Sequence, residues 1–493
     1  MTFKPSKQQA DFFKWVTNGT GSCILEAVAG SGKTTTIIEG LKLMKGDVFF
    51  GAYNKNIADE IKLKVAKLNL PNVNVSTMHS AGFSAWRKVA KFVKVDSNKC
   101  RDIFRSIVPA EHNELMGAVL NLVSYIKQSA LGVNKPITNN DLYNLIDHFN
   151  VDTLDQDSLV LDFTKKVFDE SIKQDYKIID FDDMVSCPLY HKCKVKEYDF
   201  VCVDEIQDLN HSRRLLALLM LKRGGRFIGV GDSFQAIYQF SGADSDSMNL
   251  MAESVSAVRF PLSVTYRCPK NVVALAQQYV PHITAHESAI DGVVTYLKDE
   301  DDITTLVKVG DAVLCRFNAP IITLAYQLIA KGIPSKVLGR EIGTNLKALA
   351  NRWKVKTFNT LKDRLETYLQ KETTKLRIKE KEGLAVALED KVRCLNILIK
   401  RIEEAEPKCL TPITRLCEDI DKLFGDNLGD NVVKLMTIHK SKGAEFPKVF
   451  YIQGSSKWTR KQNEHDAERN LKYVAITRTI KELVMVPEPK KEK

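Results

Sequence analysis

Two adjacent carboxylates, Asp204 and Glu205, follow directly on the apolar run Tyr198-Asp199-Phe200-Val201-Cys202-Val203. A strand ending this way can offer one carboxylate to a divalent cation and the other to a water molecule, the arrangement that phosphoryl transfer from ATP requires. The same dipeptide in isolation is equally a solvated loop. A second segment makes the chemistry specific. Ala27-Val28-Ala29-Gly30-Ser31-Gly32-Lys33-Thr34 follows the short apolar run Cys23 to Leu25 and precedes a stretch of helical character, Thr35 to Lys45. Small residues let backbone N–H groups wrap phosphates at a helix N-terminus, Lys33 reaches the terminal oxygens, and the Thr34 hydroxyl can ligate Mg²⁺. Ala27 stands where such loops usually carry their first glycine, a change that a small side chain tolerates. The cofactors implied are ATP and Mg²⁺, and the nucleotide-binding candidates run through Ala27, Ala29, Gly30, Ser31, Gly32, Lys33, Thr34 and Thr35.

A parallel sheet has to position these groups. Strand-like runs alternate with helical stretches through the first 80 residues and again from Glu197 to Leu262, the pattern of a sheet flanked by helices. Between them, from about Arg87 to Asp175, Leu115, Val119, Leu122, Val123 and Ile126 recur at helical spacing, which reads as a helical insertion. Its start gathers Arg87, Lys88, Lys91, Lys94, Lys99, Arg101 and Arg105, either a solvated face or a contact to a nucleic-acid backbone. A second alternating pattern begins near Pro261, with strands expected at Ala312–Cys315 and Lys448–Ile452. Charged helical sequence from about Gly343 to Gly429 interrupts it.

Bulk composition narrows the class. A chain of 493 residues exceeds a single core, so two or more domains are expected. The balance of 72 basic and 61 acidic residues gives +11 and tilts toward a polyanionic partner. No apolar run reaches the roughly 20 residues that span a bilayer, and Met1-Thr2-Phe3-Lys4-Pro5 opens no signal peptide, so a soluble, cytoplasmic protein with no membrane partner is expected. The ten cysteines are scattered and suit buried thiols. Cys187, His191 and Cys193 match no standard zinc spacing.

Further segments fall into a recognisable order. With the phosphate loop and the acidic strand end, they resemble the UvrD/Rep/PcrA-like branch of superfamily 1 helicases across nearly the whole chain. The Asp204-Glu205-Ile206-Gln207-Asp208 stretch resembles the DExQD box of that branch, which implies Asp204 as metal ligand and Glu205 as the base that orients or deprotonates water. Pro5-Ser6-Lys7-Gln8-Gln9 is similar to the Q motif, whose glutamine reads adenine; Gln9 fits the register and Gln8 is the second candidate. Val264-Thr265-Tyr266-Arg267 is similar to the motif whose tyrosine stacks on adenine and whose arginine touches the γ-phosphate. Within Val230 to Ala243, the resemblance implies that Gln235 senses the γ-phosphate while Tyr238 and Phe240 face bases. The family's usual Trp-Arg is Phe240-Ser241 here. Tyr53 and Asn54, Thr77 and His79, and Arg316 and Asn318 stand where relatives grip the nucleic acid. The Ile179-to-Met184 signature reads as structural. Leu435 to Pro447 resembles motif V, implying Thr437 and His439 at the strand and Glu445 at the ribose. Glu468 to Arg478 resembles motif VI, implying Arg478 as a second γ-phosphate arginine.

The resemblance implies an α/β fold of two RecA-like parallel-sheet P-loop NTPase domains. The first would span 1–260 with a helical insertion at about 87–175, and the second 261–486 with a short helical insertion at about 343–429, before a disordered tail at 487–493. It also implies an ATP-dependent DNA helicase moving 3′ to 5′ on single-stranded DNA and opening junctions, with Lys33, Asp204, Glu205, Gln235, Arg267 and Arg478 as the catalytic set. A protein loading partner and a monomer or weak oligomer are compatible with it. A translocase that strips proteins from DNA with little unwinding, and a non-catalytic nucleotide-binding scaffold, are the alternatives.

Overall fold

A computed structural model describes residues 3–149, 151–173, 177–237, 246–299, 303–378, 382–407, 409–424, 431–454 and 462–487. The chain divides into two compact units, Met1–Ser263 and Val264–Lys493.

The first unit is built on a parallel sheet. Its strands are β1 (Cys23–Ala27), β2 (Val48–Ala52), β3 (Val73–Thr77), β6 (Tyr198–Val203), β7 (Leu221–Gly231) and β8 (Val258–Leu262), in the spatial order β3-β2-β6-β7-β1-β8. A two-residue pair, β4 (Lys94–Val95) with β5 (Ile178–Ile179), lies apart from it. The central strands β2 and β6 are largely apolar, as sequences covered by helices on both faces are: β2 is buried at every position and β6 at all but Asp199. The helices are α1 (Lys7–Asn18), α2 (Lys33–Leu41), α3 (Lys55–Lys67), α4 (Met78–Trp86), α5 (Lys99–Ile107), α6 (Met116–Gln128), α7 (Asn139–Phe149), α8 (Asp157–Ser171), α9 (Asp183–Tyr190), α10 (His211–Leu219) and α11 (Ser247–Ser254). The helix after the phosphate loop begins at Lys33, two residues before the expected Thr35, and stops at Leu41. The expected boundary at 260 falls inside β8, which pairs with β1 through Leu262.

Helices α5 to α8 pack about their own apolar cluster, which includes Phe104, Leu122, Val160 and Phe168. A buried ionic network ties them to the Asp180–Asp183 turn. Lys127 Nζ lies 2.8 Å from Asp180 Oδ2 and 2.7 Å from Asp183 Oδ1, and Lys99 Nζ lies 2.5 Å from Asp183 Oδ2. Lys99 is therefore neither a solvated cation nor a nucleic-acid contact, because its side chain is 1% exposed and neutralised internally. Cys187 and Cys193 join Trp86 in a small apolar cluster, and the His191 ring packs on Trp86.

The second unit repeats the plan. Its strands are β9 (Val264–Thr265), β10 (Thr284–Ala285), β11 (Val293–Tyr296), β12 (Ala312–Cys315), β13 (Ser335–Leu338), β14 (Val433–Thr437), β15 (Phe446–Ile452) and β16 (Thr479–Val486). Six of them form a parallel sheet ordered β11-β16-β15-β12-β14-β13. Its helices are α12 (Lys270–Ala276), α13 (Ile303–Leu306), α14 (Asn318–Ala330), α15 (Arg340–Ala350), α16 (Phe358–Ile378), α17 (Glu382–Ala405), α18 (Pro412–Phe424) and α19 (Gln462–Ile476). Helices α14 to α18 share one apolar core with β12 to β14, to which α17 contributes Leu395, Leu398, Ile399 and Ile402. Among the described residues no helix is long and apolar enough to cross a membrane. All ten cysteines are free, and seven of them are buried.

Candidate nucleotide and nucleic-acid site

The phosphate loop joins β1 to α2. Gly30 and Gly32 have φ of 71° and 77°, a left-handed backbone that suits glycine and turns successive N–H groups toward one concavity. Gly32 is the N-cap of α2, whose first-turn N–H groups have no carbonyl of their own helix to bond. Ser31 Oγ is buried without a hydrogen-bond partner among the described residues, as a hydroxyl awaiting a ligand oxygen would be. This cradle fits a nucleotide triphosphate.

Across the sheet edge, β6 delivers Asp204 and Glu205. Lys33 Nζ lies 3.3 Å from Glu205 Oε1, so the phosphate lysine and the expected base meet. Glu205 is held left-handed at φ 53°, ψ 45°, a conformation that costs about 1–3 kcal/mol for a residue of this kind and persists only when its surroundings fix it. Gln207 does the fixing. Its Nε2 donates to Glu205 Oε2, and its Oε1 accepts from Asp232 N at 3.1 Å. Asp232 in turn accepts from Gln235 Nε2 at 2.7 Å. A relay thus runs Glu205, Gln207, Asp232, Gln235 from the end of β6 to the end of β7, and it brings Gln235, 4% exposed, into line with the base. Gly231 makes room, since a Cβ there would collide with the Gln207 amide oxygen.

Electrostatics concentrate here. Burial, then the neighbouring Glu205 carboxylate, push the Asp204 carboxyl up to about 7. Burial opposes charge on Lys33, but Glu205, Asp232 and Asp204 outweigh it and hold its pKa above the usual lysine value. A buried carboxylate this reluctant to ionise is suited to a cation. Asp204, with the Thr34 hydroxyl, would hold Mg²⁺, which would supply charge neutralisation for the phosphates.

Both glutamines expected near adenine are hydrogen-bonded within the first unit. Gln9 is 3% exposed, and its amide is engaged on both sides: Oε1 accepts from Ser6 N and Nε2 donates to Thr36 Oγ1 at 2.9 Å, leaving one N–H and one lone pair. A capping box and a contact from α1 to α2 hold it in place. Gln8 is half-buried and makes a reciprocal pair with Ser263, through Nε2 to Oγ and Oε1 from N, both at 2.9 Å.

The expected strand contacts on the first unit converge at one edge. Tyr53 and Asn54 follow β2, Thr77 ends β3 with His79 two residues on, and these strands are neighbours. Asn54 and Thr77 are N-caps, accepting from Ile57 N and Ser80 N. Tyr53 is 41% exposed. Burial, with help from Arg213, pulls His79 down to about 4, so it is a neutral hydrogen-bonding group. Arg213, at the start of α10, acts electrostatically on both Tyr53 and His79. Nothing in His211-Ser212-Arg213-Arg214 marked it in the sequence. Tyr238 and Phe240 lie outside the described residues.

In the second unit the expected residues form two groups. Arg267 Nε lies 2.6 Å from Glu445 Oε2, and its Nη1 donates to Thr477 O at 3.4 Å, beside Arg478. Arg478 is 1% exposed, with Nε donating to Val474 O at 3.0 Å and Nη1 to Ala444 O at 3.2 Å. As placed, its guanidinium points into its own unit, and reaching a phosphate requires exchanging those carbonyls. Tyr266 is 46% exposed, with its ring against His286. The second group lies at the neighbouring ends of β12 and β14. Arg316 Nε donates to Glu468 Oε1 at 3.0 Å, and Asn318 opens α14. Thr437 ends β14, and burial, then Arg316 and Lys442, push His439 down to about 3. The Asn318 side chain is engaged by Asp390, at 3.1 Å.

Two parallel sheets, one carrying a phosphate loop opposite a DExQD strand end, define a RecA-like P-loop NTPase. Residues 8–256 match the UvrD/REP helicase N-terminal domain and 341–488 the UvrD-like helicase C-terminal domain, so the chain belongs to the UvrD/Rep helicase family. It is 21% identical to ATP-dependent DNA helicase PcrA of Leuconostoc citreum, over 94% of this chain and 80% of that protein. It is 23% identical to ATP-dependent DNA helicase Rep of Buchnera aphidicola subsp. Acyrthosiphon pisum, over 94% and 92%. Rep of Escherichia coli K12 aligns at 23% identity over 57% of this chain and 44% of its own length.

Proposed function

We propose that this protein is an ATP-dependent DNA helicase that moves 3′ to 5′ on single-stranded DNA. The observation that carries the reading is the Lys33–Glu205 contact tied to Gln235 through Gln207 and Asp232. Such a relay lets the group that activates water respond to the γ-phosphate. Asp204 and Thr34 bind Mg²⁺, Lys33 and the loop amides bind the phosphates, and Glu205 orients the water. Arg267 and Arg478 supply positive charge to the transition state, so hydrolysis depends on both units. Tyr266 and Gln9 contact adenine, with Gln8 the second candidate, and Glu445 contacts the ribose. Tyr53, Asn54, Thr77, His79, Arg316, Asn318, Thr437 and His439 hold the strand, largely through its backbone. The exposed Arg87, Lys88, Lys91 and Lys94 are further candidates for contact with the strand backbone.

ATP hydrolysis with and without single-stranded DNA tests the motor. Stimulation in the wild type, lost in Glu205→Gln with nucleotide binding retained, is expected; an unstimulated wild type would leave the scaffold reading. Strand displacement from 3′-tailed, 5′-tailed and blunt duplexes tests direction, and a preference for 5′ tails overturns it. Translocation without displacement on any substrate would favour the protein-stripping translocase.

A further inference from the structure

The turn Arg316–Asn318 leads from β12 into α14, a helix of 13 residues whose first N–H groups have no partner within the helix. Here a backbone phosphate of the strand would be received. Those groups already hold an anion. Asp390, carried by α17, accepts through Oδ2 from Asn318 N at 2.8 Å and Asn318 Nδ2 at 3.1 Å, and through Oδ1 from Ala319 N at 3.0 Å. It makes no ion pair among the described residues, and the nearby Arg316 is engaged with Glu468. The carboxylate is thus held as a phosphate would be, by peptide and amide N–H groups rather than by a cation. The placement is not incidental. Helix α17 is seated by its buried leucines and isoleucines, and at a second point the Arg401 guanidinium lies 3.5 Å over the Tyr326 ring of α14.

We infer that Asp390 is a positioning residue of the nucleic-acid interface: its carboxylate takes the seat of a strand phosphate at the start of α14. This rests on the reading of Arg316 and Asn318 as strand contacts. The helical insertion thereby sets how many phosphates this turn accepts. With Asp390 in place, the Asn318 and Ala319 peptide N–H groups and one of the two Asn318 Nδ2 hydrogens are taken, leaving the second to the strand. When the carboxylate is withdrawn, one phosphate replaces it.

Binding of a labelled oligodeoxythymidylate to the full chain, measured across a salt series, tests this with Asp390→Asn, Glu389→Gln and Arg316→Ala. Glu389, the neighbouring acid, controls for a general charge effect. Asp390→Asn should bind up to about tenfold more tightly at low salt, the scale of one charge-assisted contact. Its plot of log K against log salt should steepen by roughly 0.7, the increment for one further phosphate on a single strand. Affinity that falls with an unchanged slope makes Asp390 a mere helix cap and overturns the inference. So does an equal gain in Glu389→Gln. If Arg316→Ala weakens binding but Asp390→Asn changes nothing, the strand uses this turn without the Asp390 seat. If neither changes binding, the strand does not use the turn, and the reading beneath the inference fails. Circular dichroism melts identify any variant whose change comes from unfolding.

Discussion

At the scale of single residues, position is decided by hydrogen-bond partners more than by residue type. Gln207 shows this. It lies within the acidic box, yet its role emerges only from its two contacts, to Glu205 and to Asp232. Replacing it with alanine removes the clamp on a strained base. A displacement of about 1 Å at such a group costs up to about 10²-fold, so Gln207→Ala should lower kcat by roughly 10- to 100-fold while the KM for ATP changes little; steady-state ATPase assays check both. The two histidines give a pH prediction. Both are depressed, to about 4 for His79 and about 3 for His439. The unfolded chain, with histidines near 6.5, takes up protons first, so their contribution to stability is complete above about pH 6.5 and is lost as pH falls toward 4. Urea denaturation between pH 7 and 4.5 should show this decline, and His79→Gln should flatten it. DNA affinity should show no step near pH 6.5 from either group.

At the scale of elements, the helical insertion of the first unit is fastened by charge, not only by its apolar core. Lys127 is fully buried between Asp180 and Asp183. Removing one partner of a buried network leaves the others uncompensated, at a cost of about 3–5 kcal/mol. Lys127→Met should therefore destabilise the fold by that amount in chemical denaturation, far more than the loss of an exposed lysine such as Lys91. The sequence carried half of this. Helical spacing from Leu115 to Ile126 marked the helix, and the Ile179–Met184 signature read as structural. That Lys99 belongs to the network was not legible, because a lysine among other lysines looks solvated and its carboxylate lies 84 residues away. The contacts of Gln9 were not legible either, since motif register does not show that a capping box and Thr36 hold its amide.

At the scale of the whole molecule, the proposed catalytic set is divided, with Lys33, Asp204, Glu205 and Gln235 in the first unit and Arg267 and Arg478 in the second. Losing an arginine that stabilises phosphoryl transfer costs about 10³ or more in rate. Arg267→Ala should lower kcat by about that factor with nucleotide affinity and melting temperature nearly unchanged. Arg478→Ala should lower kcat and also the melting temperature, because its buried guanidinium satisfies Val474 and Ala444 carbonyls. Fluorescent-nucleotide titration and thermal melts separate the two. The sequence by itself determined the chemistry: the phosphate loop, the acidic strand end, the order of motifs and the apolar strands of two parallel sheets are all local patterns. Only the tertiary structure decided that Gln207 links Glu205 to Asp232, that Arg478 is turned inward and that Asp390 fills the start of α14. The decisive contacts, Gln207 with Asp232, Arg478 with Ala444 and Asp390 with Asn318, join groups 25, 34 and 72 residues apart, which local spacing does not encode.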